Sequence, residues 1–128
     1  KAVSEIHRVL KTDGYLILTV PAHKYLWNSN DDLSEHKRRY EKRELRKLLN
    51  SHFNIKQMNY WNFLFYFPAM IFSALERLRN VKEKKNNLQH IPVFLNRILF
   101  KLMQIENKVS KKIHLPEGVS IVCVARKK

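Results

Sequence analysis

The residues of this chain that could do chemistry are concentrated in one segment, residues 27–40, with the sequence WNSNDDLSEHKRRY. A loop that only connects two elements is usually built from Gly, Pro, Asn or Asp and does not need this density of ionisable side chains. Asp31, Asp32 and His36 could orient or deprotonate an acceptor hydroxyl, since His titrates near neutral pH. Among them we predict His36 and Asp31 as catalytic residues. The alternative is that an aspartate caps a turn and that His36 makes a local hydrogen bond.

The same segment contains candidate substrate-binding residues. Arg38 and Arg39 could clamp a phosphate or a carboxylate through two parallel hydrogen bonds, because the guanidinium geometry suits such groups better than the Lys ammonium does. Alternatively, the two arginines begin a solvated basic helix and pair with its acids. Trp27 and Tyr40 could wall a substrate pocket, whereas Trp27 could instead pack the loop onto the sheet.

The elements around this segment are predicted to hold it at the edge of a sheet. Residues 15–20 (YLILTV) form an apolar run that predicts a buried strand, and ligands of open parallel sheets bind just beyond the carboxyl ends of strands. The strand follows a helix in residues 1–11 and a turn at Asp13-Gly14, in which Gly14 is expected to supply a positive φ. The segment is therefore the best candidate for a site in the chain.

The remaining pattern predicts an α/β fold. Residues 41–50 have the apolar spacing of a helix, and residues 53–61 and about 119–126 are predicted strands. Apolar runs such as 15–20 are typical of strands covered by helices on both faces, as in a parallel sheet. About residues 62–114 are predicted to be mostly helical, with Pro92 in the first turn of the last helix and a polar, basic helix end and mobile loop in residues 77–89.

Length, composition and charge limit the possible classes of protein. The 128 residues predict one domain, and a hydrophobic content of 45% is enough for a buried core. Cys123 is the only cysteine and lies in an apolar run, which favours a buried side chain and a reducing, cytoplasmic compartment. The six histidines lack the paired spacing of zinc sites, so we predict no metal. A net charge of +14 indicates attraction to polyanions.

The apolar, aromatic stretch in residues 57–75 leaves two alternatives open. It contains no charged residue and approaches the roughly 20 residues that cross a bilayer, but asparagines and a central Pro68 interrupt it. It could be a helix buried in the core, or it could enclose a lipid-like acceptor or lie at an anionic membrane surface between basic segments. The second possibility defines an alternative function, a non-catalytic basic module that docks on membranes from the cytoplasmic side. Nucleic acid is disfavoured as a partner, because no aromatic stacking platform accompanies the basic residues.

Three motifs together resemble a known family. Residues 7–18 (HRVLKTDGYLIL) are similar to the helix, turn and strand of class I S-adenosylmethionine-dependent methyltransferases, often written RVLKPGG before an apolar strand. The Val-Pro-Ala at 20–22, Trp27, Asp31 and the run HKRRY at 36–40 resemble one branch of that family, which has Pro, Trp-Ser, Asp and Gly-His-x-Arg-Arg-Tyr. The last residues, LPEGVS with the strand that follows, resemble the closing strand of the same branch. Glu35 and Asn28 stand where that branch usually has Gly and Ser.

The resemblance implies a fold and an activity. It implies that residues 1–128 are the C-terminal part of a single methyltransferase domain, half of a Rossmann-like doubly wound sheet with a helical insertion before a last, antiparallel strand. The family binds S-adenosylmethionine with a Gly-rich turn and an acid of the N-terminal half, which we expect to be absent here. The chain alone is therefore expected to be inactive and to supply the acceptor side of methyl transfer, with a small-molecule, lipid-linked or glycan-linked acceptor.

Overall fold

The computed structural model describes residues 2–79 and 92–128. The order of elements is helix, strand, two helices, strand, two helices, strand, with a single 3-10 turn after each of the first two strands. The elements are α1 (Ala2–Val9), β1 (Tyr15–Pro21), α2 (Ser29–Leu33), α3 (Lys42–Asn50), β2 (Phe53–Trp61), α4 (Tyr66–Leu78), α5 (Val93–Ser110) and β3 (Ser120–Lys127). The three predicted strands and the predicted helix after residue 41 are confirmed, with ends that differ by about a residue.

The three strands form one sheet in the order β1-β3-β2. The last strand of the chain lies in the middle and is antiparallel to both neighbours, so that Cys123 faces Leu18 on one side and Met58 on the other. β1 and β2 consequently run in the same direction without touching. Both strand pairs of this sheet are antiparallel, and the parallel pairing suggested by the apolar runs is not seen among its three strands.

The core lies between one face of the sheet and the helices α1 and α3. Leu45 and Leu49 of α3, spaced one helical turn apart, are almost completely buried against Phe53 and Ile121. Val3, Ile6 and Leu10 add the apolar side of α1 and of the turn after it to the same cluster. Cys123 is fully buried in this core, as predicted.

The other face of the sheet is largely open in the described residues. Tyr15 and Ile17 of β1 point to this side and are 58% and 71% exposed. The expectation that β1 is covered on both faces is therefore wrong for the described part of the chain. The last turns of α5 approach only the far end of this face, near Thr19 and Val122.

The turn before β1 differs from its prediction. Asp13, not Gly14, has the positive φ, 61°, and neither glycine of the chain has a positive φ. Asp tolerates the left-handed region because its short polar side chain can hydrogen-bond locally. Gly14 is required for a different reason, since a Cβ there would lie 2.8 Å from the carbonyl oxygen of Lys11.

Helices α4 and α5 occupy the described parts of the predicted helical insertion. Pro92 is the residue just before α5, so its prediction as a first-turn residue is wrong by one position. Residues 80–91, which contain most of the predicted mobile loop 77–89, lie outside the described residues. Within residues 2–79 and 92–128, no helix is long and apolar enough to cross a membrane.

Candidate functional site

Main-chain hydrogen bonds close the loop between β1 and α3 at its base. The N–H of Tyr40 donates to the carbonyl oxygen of Pro21 at 2.9 Å, and the N–H of His23 donates to that of Tyr40 at 3.1 Å. A parallel bridge between Ala22 and Tyr40 accompanies these bonds. Residues 23–39 therefore form a closed lobe beyond the carboxyl end of β1, where the sequence predicts a site.

A buried ion pair between Asp31 and Arg39 lies at the centre of this lobe. The two side chains are 2% and 7% exposed. The Arg39 Nε is 3.0 Å from both carboxylate oxygens of Asp31, and the Arg39 Nη2 is 2.9 Å from Oδ2. The Arg39 Nη1 donates to the carbonyl oxygen of Ala22 at 2.8 Å, which ties the pair to the end of β1. Such a paired and hydrogen-bonded arrangement is what allows charges to be buried.

The short helix α2 positions Asp31 through its own cap. Asn28 precedes the helix with an extended backbone, and its Oδ1 accepts a hydrogen bond from the N–H of Asn30 at 3.0 Å. The N–H of Asn28 in turn donates to the Asp31 Oδ2 at 3.1 Å. This reciprocal capping box helps to fix the position of the Asp31 carboxylate.

Asp31 also orients His36. The Nδ1 of His36 is 3.0 Å from the Asp31 Oδ1, and its backbone N–H donates to the Asp31 carbonyl oxygen at 2.9 Å. An ionised carboxylate only accepts hydrogen bonds, so Nδ1 is the donor in this contact, and in the neutral imidazole Nε2 then keeps its lone pair. Glu35 makes the preceding turn with a φ of 53°, in the region that favours glycine.

A cavity of about 390 Å³ borders this cluster. Asp31, His36 and Arg39 lie on one side of it together with Asn28. Its lining also includes apolar residues of the 3-10 turn Phe63–Phe65 and of α4, namely Phe65, Pro68, Ala69 and Phe72. A cavity of this size with one polar and one apolar wall is typical of a small-molecule site.

Arg38, Tyr40 and Trp27 lie apart from this cluster. The Arg38 Nε donates to the hydroxyl of Tyr40 at 2.6 Å, and its Cζ lies 4.5 Å from the centre of the Tyr40 ring. Both residues border a separate cavity of about 240 Å³, which they share with Arg39. Trp27 is half-buried after the 3-10 turn Lys24–Leu26, and its ring borders none of the cavities described here. Of the six predicted site residues, the structure therefore brings Asp31, His36 and Arg39 together.

The predicted alternative pairing of the arginines is not the one observed. Arg39 pairs with Asp31 inside the lobe, whereas Glu44 forms its ion pair with Lys24. The hydrogen bond from Lys24 lowers the pKa of Glu44 below its ordinary value. Asp31 does cap α2 and His36 does bond locally, so the simpler alternative for these two residues also describes real contacts.

A second polar cluster, around His23, was missed by the sequence analysis. His23 is 4% exposed, has a φ of 59° and stacks on the ring of Tyr60 at 5.0 Å. Its Nε2 lies 2.8 Å from the Glu117 Oε2, but the two atoms are not aligned for a hydrogen bond. Burial and the hydrogen bond to Tyr66 raise the pKa of Tyr25 beside this cluster. No sequence signal indicates it, because its members come from three distant parts of the chain.

Comparison of the chain with protein-family models, with curated proteins and with solved structures gives no match. Among the described residues, no group of three His, Cys, Asp or Glu side chains could hold a metal ion. The function is therefore inferred from the motifs, from the geometry of the lobe and from its cavity.

Proposed function

We propose that this chain forms the acceptor side of an S-adenosylmethionine-dependent methyltransferase. The observation that carries the proposal is the cluster of Asp31, His36 and Arg39 beside a cavity at the carboxyl end of β1. All three residues belong to the motif by which the sequence resembles that family. Asp31 and His36 bond locally, whereas Arg39 reaches Asp31 through the closed fold of the loop.

The sheet is compatible with the proposal. The resemblance implies a last strand that is antiparallel, and β3 is antiparallel to both neighbours. β1 pairs with β3 along one edge only, and no described strand occupies its other edge. An apolar strand with a free edge favours pairing with a further strand, so a larger doubly wound sheet could extend from β1. That extension is part of the proposal.

In the proposed reaction, His36 accepts the proton that the acceptor loses as it is methylated. The Nε2 of His36 is the atom available for this role, since Nδ1 is held by Asp31. Asp31 keeps the ring in place, and Arg39 compensates the charge of the buried carboxylate. Arg38, Tyr40 and Trp27 are proposed to hold more distant parts of the acceptor. Methyl transfer depends strongly on alignment, so a rigid acceptor wall contributes to the rate.

The residues of this chain do not by themselves fit the cofactor. The family binds the cofactor with a Gly-rich turn. In this chain, both glycines, Gly14 and Gly118, lie in close contact with backbone atoms of the chain itself. A Cβ at Gly118 would lie 2.4 Å from the carbonyl oxygen of Trp61. We therefore place S-adenosylmethionine on protein outside these residues, and the acceptor is a small molecule or a lipid-linked or glycan-linked group. The proposed location is the cytoplasm.

The test uses the protein as its gene encodes it and compares His36→Ala with Lys37→Ala. Lys37 is the exposed neighbour of His36 and serves as the matched control. Transfer of tritium from methyl-labelled S-adenosylmethionine to lipid and polar cell extracts is measured, and the affinity for the cofactor is measured by calorimetry. We expect His36→Ala to lower turnover by about 10²–10⁴-fold with cofactor affinity unchanged, and Lys37→Ala to retain turnover. Full turnover in His36→Ala refutes the role of His36, and failure of the wild-type protein to bind the cofactor refutes the methyltransferase.

A further inference from the structure

Helix α5 carries an apolar stripe that the rest of the described protein does not cover. None of the residues of α5 is buried. Ile98 and Ile105 are 49% and 57% exposed, and the spacing of three or four residues places the whole set on one side of the helix. The apolar stripe consists of Leu95, Ile98, Leu102, Ile105 and Val109. At 1.5 Å per residue, the helix that carries it is about 27 Å long.

Basic residues follow the same helix on the side next to the apolar stripe. Arg97, Lys101 and Lys108 are spaced by four and seven residues, and Lys111 and Lys112 extend the group beyond the end of the helix. None of these cations forms an ion pair with an acid of residues 2–79 or 92–128. The helix is therefore amphipathic, with cations that are available to an external anion.

The only acid of α5 is turned towards the protein. The two carboxylate oxygens of Glu106 accept hydrogen bonds from the N–H groups of Phe63 and Leu64 at 2.8 and 3.0 Å. These bonds hold α5 to the 3-10 turn Phe63–Phe65. They also keep the Glu106 carboxylate away from the outer side of α5. The outer side of α5 thus presents apolar and positively charged groups without an opposing acid.

Helix α4 shows the same separation of its two sides. Phe67 and Ile71 lie one turn apart and are 52% and 57% exposed. The two charged residues of α4 face the loop instead, since Glu76 accepts hydrogen bonds from Ser29 and Arg77 donates to the carbonyl oxygens of Ser73 and Tyr25. The two successive helices therefore expose more apolar surface than is usual for helices that face only water.

We propose that α5 docks on an anionic membrane surface, with its apolar stripe in the interface and its cations at the lipid headgroups. An amphipathic helix with Leu and Ile on one side and Lys and Arg beside them has the composition of interfacial helices. The alternative of a second copy of this chain is disfavoured by charge, because each copy carries a net +14 and would bring the same cations to the contact. Anionic headgroups are complementary to both features of the helix.

Sedimentation of the full-length protein with vesicles tests this inference. Vesicles of phosphatidylcholine alone are compared with vesicles that also contain phosphatidylglycerol, at low and high salt. Ile105→Asp places a carboxylate in the apolar stripe, and Gln104→Asp places the same charge about 100° further round the helix, outside the stripe, as a matched control. We expect binding to the anionic vesicles only, a loss of about fivefold with Gln104→Asp from its added charge, and a further loss of about tenfold or more with Ile105→Asp from the lost apolar contact.

A second variant tests the contribution of charge. Lys101→Gln combined with Lys108→Gln is expected to weaken binding to anionic vesicles about 25-fold, from about fivefold for each cation at such a surface. The dependence of binding on salt should become shallower as well.

Three results would overturn the inference. One is the absence of binding to anionic vesicles, and another is an equal loss in the two aspartate variants, which would mean adhesion by charge alone. The third is a lipid-free dimer of the wild-type protein that Ile105→Asp converts to a monomer, because the stripe would then contact a second copy. Vesicle binding without methyl transfer would leave this inference standing while the proposed function fails.

Discussion

The buried pair of Asp31 and Arg39 gives the sharpest prediction for stability, and Asp31→Ala is the perturbation that tests it. The substitution leaves the Arg39 guanidinium 7% exposed, with the carbonyl oxygen of Ala22 as its remaining described acceptor. Removing one partner of a buried ion pair costs about 3–5 kcal/mol, because the other charge stays buried without compensation. The capping bond to Asn28 is lost as well, which alone costs about 1 kcal/mol. These contributions overlap, and we expect a loss of about 4 kcal/mol in the free energy of unfolding.

Asp32→Ala is the matched control for this measurement. Asp32 is the next residue in the same helix, but it is exposed and outside the cluster. Its substitution should change the free energy of unfolding by about 0.5 kcal/mol or less. Urea denaturation followed by circular dichroism gives both values, and an unchanged slope would show that the denatured state is comparable.

A double-mutant cycle with Arg39→Met separates the pair from the cap. Replacing both partners removes the stranded charge, so the double variant should be about 2 kcal/mol more stable than the sum of the single losses predicts. The reasoning is refuted if Asp31→Ala costs no more than Asp32→Ala, or if the two single losses simply add.

Three further predictions concern other parts of the chain. Glu35→Gly should stabilise the protein by about 0.5–1 kcal/mol, because Glu35 has a φ of 53°, whereas Ser34→Gly, at a φ of −82°, should destabilise it by a similar amount in urea denaturation. The thiol of Cys123, fully buried and with a pKa raised by burial, should react with a disulfide reagent only as fast as the protein unfolds. Glu44 has a pKa lowered by the hydrogen bond from Lys24, so its contribution is complete above the ordinary value of 4.5 and is lost as the pH falls through the folded value. Glu44→Gln should therefore flatten the acid limb of stability measured against pH, and an unchanged limb would contradict this assignment.

The strands could be predicted because their signal is local. An uninterrupted apolar run such as residues 121–125 indicates a strand wherever its partners lie. Which strand becomes the neighbour depends instead on contacts between distant residues. The position of β3 between β1 and β2 has no local signature, since the same side chains could pair in a parallel sheet. The exposure of Ile17 could not be inferred from its apolar character either, because it depends on which distant elements cover that face of the sheet.

The candidate site was predictable only where its members are close enough in sequence to bond locally. Asp31 and His36 are close in sequence, so their contact could be anticipated from residue type and spacing. The partner of Arg39 could not, because acids of the next helix are nearer in sequence than Asp31. Only the closure of the lobe at Tyr40 brings Arg39 back to Asp31. The contribution of residues 65–72 to the cavity could not be predicted either, because nothing in the sequence connects them to the loop.

Helix α4 links the two proposals through its opposite sides. Its inner side holds the lobe, because the Ser73 hydroxyl donates to the carbonyl oxygen of Leu26 at 2.9 Å and Glu76 accepts from the Ser29 N–H at 2.8 Å. The same helix supplies the apolar wall of the cavity that faces His36. An acceptor with a polar head and an apolar tail would match this cavity, with the head at His36 and the tail along α4. If α5 docks on a membrane, a lipid-linked acceptor becomes the favoured class, because the protein would already lie where such acceptors are found. Loss of transfer to lipid extracts in Ile105→Asp, with transfer to polar acceptors retained, would support that connection, whereas equal transfer to lipid by both aspartate variants would separate the two proposals.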